Sequence, residues 1–184
     1  MEKTEFEKMR SGELYRFDDE EVTRSVKRAN SLCAELSLMT LDSPRYRDTV
    51  ESLIHAFPHS SAIVPPFRCD HGSGISVGEG TFINYDCIML DGARITIGAH
   101  CKIGPRCQFL TPQHPKDWRE RMKPVETCHA ITIGDNCWLG GGVTVCPGVT
   151  VGARSIIAAG SVVVRDVPAD SLAAGNPAVV KRRL

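Results

Sequence analysis

The stretch that decides the fold is residues 133–163, IGDNCWLGGGVTVCPGVTVGARSIIAAGSVV, in which an aliphatic residue recurs at every sixth position. The residue that follows each aliphatic position is mostly Gly or another small residue. Four positions after each stands a small or β-branched side chain, as at Cys137 and Val143. A fixed period of six residues is the sequence signature of a parallel β-helix. The recurring aliphatic residues are Ile133, Leu139, Val145, Val151, Ile157 and Val163.

The same period appears earlier in the chain, and its phase slips near Ile95. Three repeats complete one triangular turn, so the two runs predict about four to five turns. We therefore predict an all-β fold: a hexapeptide-repeat parallel β-helix with a small α-helical N-terminal segment. The segment would span 1–60 and the β-helix 61–184, with an inserted loop at 110–130 and a C-terminal tail. The earlier repeats are Val77, Ile83, Met89, Ile97, Ile103 and Phe109.

The first sixty or so residues have helical rather than hexapeptide spacing. Thr4 and Glu7 match a capping box at a helix start, and Gly12 matches a helix end. A third helix is predicted to open at Ser43 and Pro44, with proline at the first helical position. Between them, apolar residues recur at steps of three and four, which predicts a second helix. Those residues are Val22, Val26, Ala29, Cys33 and Leu36.

The composition excludes several classes of protein. Acidic and basic residues balance at 22 each, which argues against non-specific binding to nucleic acid or to an anionic membrane surface. No stretch approaches 18 consecutive apolar residues, so we expect no transmembrane helix. Residues 1–5 lack the apolar core of a secretory signal. A cytoplasmic location is therefore the expectation.

Five of the eight cysteines are predicted to be packing residues rather than disulfides or metal ligands. Four of them fall at the small, inward position of the repeat, and Cys33 falls on the apolar face of the second helix. The roles of Cys69, Cys128 and Cys146 stay open. No C-x-x-C motif occurs, so no metal is expected. The four inward cysteines are Cys87, Cys101, Cys107 and Cys137.

The repeat disappears between residues 110 and 130, where the chain is charged and rich in proline. A long insertion in a regular solenoid is usually functional. Its His114 stands between Pro112 and Pro115, which restrict the backbone, and is a candidate general base. Glu126 is a candidate to orient that imidazole. The alternative interpretations are a solvated loop histidine and a surface carboxylate.

Other polar or aromatic residues also depart from the repeat. Asn84 stands where a Gly or small residue is usual, and its amide could hold a substrate hydroxyl or point to solvent. Asp70 and Asp91 are similar candidates. Trp138 should point outward, where it could stack on a ligand, pack against another subunit or cover an edge of the coil. The basic tail that ends the chain could bind phosphate groups or serve solubility.

Several of these segments resemble the maltose and galactoside O-acetyltransferases, and the resemblance runs from about residue 4 to the C-terminus. The resemblance implies a left-handed parallel β-helix, a homotrimer with active sites between subunits, and acetyl-CoA as the donor. The segments that carry it are 12–16 (GELYR), 66–70 (PFRCD), 84–91 (NYDCIMLD), 111–115 (TPQHP), 133–142 (IGDNCWLGGG), 147–152 (PGVTVG) and 174–178 (AGNPA).

The resemblance also assigns roles residue by residue. His114 matches the family's catalytic histidine, Glu126 the acid that orients it, and Asn84 the residue that positions the acceptor. The chain departs from the family at Arg165, where lysine is common, and at Val179, where arginine is common. From the repeat pattern and the resemblance together, we predict that Asp18, Asp70 and Asp91 contact the acceptor. The residues predicted to bind acetyl-CoA are Trp138, Gly141, Ala159, Val164, Arg165 and Arg182.

The predicted function is therefore transfer of an acetyl group from acetyl-CoA to a hydroxyl of a sugar or related small acceptor. Two alternatives stay open. One is a zinc hydrolase of the carbonic-anhydrase type, which also uses a hexapeptide coil and needs three converging histidines. The other is a non-catalytic trimeric scaffold. The histidines available to the zinc enzyme are His71, His100, His114 and His129.

Overall fold

The computed structural model describes residues 2–184 and consists mainly of short β-strands. Its helices are α1 Glu5–Ser11, α2 Glu20–Leu36, α3 Tyr46–Leu53 and α4 Trp118–Arg121. Its first eleven strands are β1 Tyr15–Arg16, β2 Ala62–Ile63, β3 Phe67–Cys69, β4 Ile75–Val77, β5 Phe82–Ile83, β6 Cys87–Leu90, β7 Ile95–Ile97, β8 Lys102–Ile103, β9 Gln108–Leu110, β10 Pro112–Gln113 and β11 Val125–Cys128. The others are β12 Ile131–Ile133, β13 Trp138–Leu139, β14 Thr144–Val145, β15 Thr150–Val151, β16 Ile156–Ile157, β17 Val162–Val163, β18 Ser171–Gly175 and β19 Ala178–Arg183.

The strands of the coil build three sheets, and the chain visits the sheets in turn. The seven-stranded sheet has the order β19-β18-β16-β13-β8-β5-β2, the five-stranded sheet β17-β14-β9-β6-β3, and the four-stranded sheet β15-β12-β7-β4. Neighbouring strands are parallel except β18 and β19. The fold is a left-handed parallel β-helix of about six turns, which confirms the predicted fold class.

The coil has more turns than the four to five that the repeat predicts, because its first turn does not follow the repeat. That turn starts at β2, where Ala62 and Ile63 pair with Phe82 and Ile83. Prolines and polar residues replace the periodic pattern between there and Val77. The first turn is therefore held by its strand pairing with the second turn, although its sequence lacks the hexapeptide repeat.

Aliphatic and cysteine side chains fill the interior of the coil, as the repeat predicts. All eight cysteines are free; seven are buried, and only Cys146 is partly exposed. The thiols of Cys101, Cys107 and Cys137 each lie 3.2 Å from a backbone carbonyl oxygen of a neighbouring turn. Adjacent turns also approach closely at glycines: a Cβ at Gly140 would lie 2.5 Å from the backbone nitrogen of Ala159.

The first two predicted helices are confirmed, and the third begins later than predicted. Thr4 and Glu7 form the capping box of α1, and Gly12 ends it in the left-handed conformation. The third helix begins at Tyr46 rather than at Pro44, which lies in the preceding turn. The side chain of Ser43 instead accepts a hydrogen bond from the backbone of Thr40 within that turn. Helix α2 packs its apolar face, including Cys33, against β3 of the coil. No helix within residues 2–184 is long and apolar enough to cross a membrane.

The inserted loop has regular structure of its own and pairs with the N-terminal segment. Strand β11 is the centre of a three-stranded antiparallel sheet in the order β1-β11-β10. Its register places Tyr15 opposite Glu126 and Gln113 opposite Thr127. This sheet lies outside the coil and joins the two segments that the repeat does not describe.

Candidate active site

A cleft of about 410 Å³ lies between helix α2, strand β1 and the inserted loop. Three predicted site residues line it together: His114, Glu126 and Asp70. The coil positions Asp70 at the end of β3, and the small antiparallel sheet positions the other two. The remaining lining residues are Tyr15, Phe17, Val22, Thr23, Val26, Lys27 and His71.

His114 is held beside a carboxylate and remains accessible. Its Nδ1 lies 3.5 Å from Oε2 of Glu126, which is the outer limit of a hydrogen bond. Catalytic hydrogen bonds are often long before substrates bind. The His114 side chain is 55% exposed, whereas that of Glu126 is 12% exposed. The ring of Phe17 meets the imidazole edge-on, with the ring centroids 6.1 Å apart.

Glu126 is oriented by a second contact that the sequence did not reveal. The hydroxyl of Tyr15 donates a hydrogen bond to Oε1 of Glu126, so the two carboxylate oxygens have different partners. Tyr15 was part of the GELYR segment that carried the family resemblance, but no role was assigned to it. Phe17 was missed altogether. A pairing between β1 and β11 is long-range and has no local sequence signal.

Asp70 and His71 form the wall of the cleft that the coil supplies. Burial, and then the negative charges of Asp91 and Glu126, raises the pKa of Asp70 to about 6. Burial lowers the pKa of His71 to about 4, so this imidazole is neutral at neutral pH. Its Nδ1 lies 3.0 Å from the hydroxyl of Ser25 on α2. The wall therefore offers a titratable carboxyl group and a neutral imidazole.

The prediction that Asp91 contacts an acceptor is wrong. Its side chain is fully buried, and its carboxylate accepts hydrogen bonds from the backbone N–H groups of His71, Gly72 and Gly74. The distances are 2.8, 3.1 and 2.9 Å. Asp91 therefore fixes the turn that follows Asp70 and has no surface to offer to a ligand.

Asp18 and Asn84 do not line the cleft in this chain. The carboxylate of Asp18 is exposed and pairs with Arg16, at 2.8 Å from Nη2. Asn84 follows β5, at the corner between the seven-stranded and five-stranded sheets. Its side-chain oxygen accepts a hydrogen bond from the backbone N–H of Tyr85 at 2.9 Å. That bond leaves the NH₂ group of the amide as the available donor.

The residues assigned to acetyl-CoA lie on two corners of the coil and on one sheet. Gly141 and Ala159 follow β13 and β16, on the corner that carries Asn84. The N–H of Gly160 donates to Gly141 O at 2.9 Å, which stacks these two turns. The remaining residues form two groups: Trp138 and Arg182 belong to the seven-stranded sheet, and Val164 and Arg165 follow β17 at the next corner.

The inserted loop leaves the coil at the corner between the five-stranded and four-stranded sheets, which is also the corner of Val164 and Arg165. It begins after β9 of the five-stranded sheet and ends before β12 of the four-stranded sheet. His114 and Asn84 therefore lie on different corners of one coil. Trp138 is 55% exposed on the sheet that precedes the Asn84 corner, as the repeat predicts.

The histidines that a zinc enzyme would need do not converge within one chain. Among residues 2–184, no group of three or more His, Cys, Asp or Glu side chains is arranged to hold a metal ion. His71 is buried against Ser25 and Phe6, whereas His100 is exposed at a corner of the coil. The Nδ1 of His114 lies beside the carboxylate of Glu126.

Known proteins resemble this chain over almost its full length. Residues 130–165 match the family model described as bacterial transferase hexapeptide (six repeats). A hexapeptide-repeat-containing acetyltransferase from Vibrio cholerae O1 biovar eltor, solved with acetyl coenzyme A, is 42% identical with a TM-score of 0.91 over 99% of both chains. A maltose O-acetyltransferase from Clostridium difficile 630 is 37% identical with a TM-score of 0.96, over 99% of this chain and 98% of the other. A galactoside acetyltransferase solved with coenzyme A is 27% identical with a TM-score of 0.90, over 99% of this chain and 92% of the other.

Proposed function

Because this chain belongs to the family of hexapeptide-repeat acetyltransferases, we propose that it transfers acetyl from acetyl-CoA to a hydroxyl of a sugar or related small acceptor. The observation that carries the proposal is the contact of His114 with Glu126 at an open cleft. The similar maltose and galactoside enzymes support a sugar-like acceptor. The similar structures with bound acetyl-CoA or CoA support the donor.

His114 acts as the general base. Glu126 contacts Nδ1, so Nε2 faces the acceptor and removes the proton from its hydroxyl group. The oxygen attacks the thioester carbonyl and forms a carbon–oxygen bond. Cleavage of the carbon–sulfur bond then releases the thiolate of CoA, which takes the proton from the imidazolium. Holding both substrates in this geometry supplies much of the rate.

The acceptor is positioned by Asp70 and Asn84, which come from different chains. Asp70 lies in the same cleft as His114, whereas Asn84 lies on another corner of the coil. In a homotrimer the loop corner of one subunit faces the Asn84 corner of the next, and a complete site forms between them. Gly141 and Ala159 lie on the same corner as Asn84, which puts these two acetyl-CoA residues on the Asn84 side of that interface. Closed cyclic assemblies of this kind join different surfaces of identical chains.

The proposal is tested by incubating purified protein with acetyl-CoA and a panel of sugars and other alcohols, and measuring free thiol. We expect thiol release that depends on a hydroxyl-bearing acceptor, with the acetyl ester detected in the product. Failure to bind acetyl-CoA at millimolar concentration would support the scaffold instead. Stoichiometric zinc in the purified protein would support the hydrolase.

A further inference from the structure

We propose that Tyr15 is a positioning residue for the catalytic base: its hydroxyl holds Glu126 in the orientation that contacts His114. The inference rests on the proposed function, because it assumes that His114 is the base. The proposal gives strand β1 a function. Neither the hexapeptide repeat nor the inserted loop predicts that function from the sequence.

The first support is the geometry of the three side chains. Tyr15 and Glu126 are directly opposite each other in the pairing of β1 with β11. The Tyr15 hydroxyl donates to Oε1, and Oε2 faces Nδ1 of His114 at 3.5 Å. Tyr15 is only 3% exposed, so little water competes for the carboxylate from that side. One oxygen of Glu126 is thus anchored to the N-terminal segment while the other contacts the base.

The second support is the direction of the hydrogen bonds. The hydroxyl of Tyr15 also lies 3.7 Å from Sγ of Cys128. Burial raises the pKa of Cys128 to about 11, and burial together with the bond to Glu126 raises the pKa of Tyr15. Both groups therefore keep their protons at neutral pH. The thiol donates to the phenol oxygen, and the phenol donates to Glu126, which stays the acceptor.

A buried tyrosine hydroxyl can also have a purely structural role, in which it bonds only backbone groups. Tyr46 is an example. Its hydroxyl donates to the backbone carbonyl of Ile63 and accepts from the backbone N–H of the same residue. Tyr46 does not line the cleft and contacts no proposed catalytic group. Tyr46→Phe is therefore a matched control, since it removes a buried hydroxyl without touching Glu126.

The experiment compares Tyr15→Phe and Tyr46→Phe in acetyl transfer, after thermal unfolding has shown that each variant is folded. A misplaced catalytic group commonly costs about 10- to 100-fold in rate, so we expect that loss of kcat for Tyr15→Phe. The KM for acetyl-CoA should stay unchanged, because Tyr15 is buried and is not among the residues assigned to the coenzyme. Tyr46→Phe should keep the wild-type kcat.

A double-variant cycle separates positioning from general destabilisation. In a Glu126→Ala background the hydroxyl of Tyr15 has no carboxylate to orient, so Tyr15→Phe should cause no further loss of kcat. Wild-type kcat in Tyr15→Phe, or the same fold loss with and without Glu126, would overturn the proposal. A wild-type protein that acetylates no acceptor would instead refute the proposed function, and the role of Tyr15 with it.

Discussion

Asn84 and His114 lie on different corners of the same β-helix, although both are assigned to the chemistry of one site. Asn84 follows a strand of the seven-stranded sheet, and the loop that carries His114 follows a strand of the five-stranded sheet. Only His114 lines the cleft with Glu126 and Asp70. Under the proposed function a single chain would therefore be an incomplete enzyme, and assembly is part of the proposed mechanism.

Mixing two inactive variants tests the shared site. In the proposed trimer, His114→Ala and Asn84→Ala should each have low activity when assembled alone, since every site lacks one residue. If each site joins His114 of one subunit to Asn84 of the next, random mixed trimers should recover about a quarter of the wild-type sites. Activity is measured after the two variants are unfolded and refolded together.

The control mixes each variant with a second preparation of itself, which should recover nothing. If co-refolded mixtures are no more active than the separate variants, the two residues do not complete each other across an interface.

The raised pKa of Asp70 predicts that acceptor binding depends on pH. The carboxyl group is protonated below about pH 6 and ionised above it. An ionised carboxylate accepts stronger hydrogen bonds from acceptor hydroxyls, so the acceptor KM should fall as pH rises through 6. Asp70→Asn should raise KM at pH 7 and remove this dependence. The measurement is the acceptor KM between pH 5 and 8.

Asp42→Asn is the matched control, because Asp42 is exposed in a turn away from the cleft. It should leave the pH dependence of the acceptor KM intact. An Asp70→Asn variant whose KM follows pH as the wild type does would show that Asp70 is not the group that titrates.

Close contact between turns predicts unequal effects of two neighbouring glycines on stability. A Cβ at Gly140 would lie 2.5 Å from the backbone nitrogen of Ala159, whereas a Cβ at Gly142 would meet nothing within 4 Å. Gly140→Ala should therefore lower the free energy of unfolding by about 1–3 kcal/mol or more through overpacking. Gly142→Ala carries only the cost of its positive φ of 69°, about 1 kcal/mol. Chemical denaturation checks both, and equal losses would contradict the contact argument.

The sequence predicted the coil well because its signal is local and repeated. Each aliphatic position from Ile133 onward lies on its own strand and is buried in the interior of the coil, so the pattern could be recognised without knowing the fold. The repeat does not reach the first turn, where Ala62 pairs with Phe82 of the next turn without a hexapeptide pattern of its own. The number of turns was therefore underestimated.

The candidate site could be predicted from the sequence only where its residues interrupt the repeat. His114 and Glu126 became candidates because the loop that holds them breaks the pattern, and the structure places them in contact. Tyr15 received no role from the sequence, because its pairing with β11 joins segments far apart in the chain. Asp91 was wrongly assigned, because nothing in its position shows that three backbone N–H groups surround its carboxylate.

The most direct test of the account is the turnover of His114→Ala, measured with saturating acetyl-CoA and an acceptor found in the panel. A positioned general base contributes about 10² to 10⁴ in rate, so kcat should fall by that factor while the variant remains folded. His59→Ala, an exposed histidine outside the cleft, should keep the wild-type kcat. A folded His114→Ala protein with near-wild-type kcat would contradict the proposed mechanism.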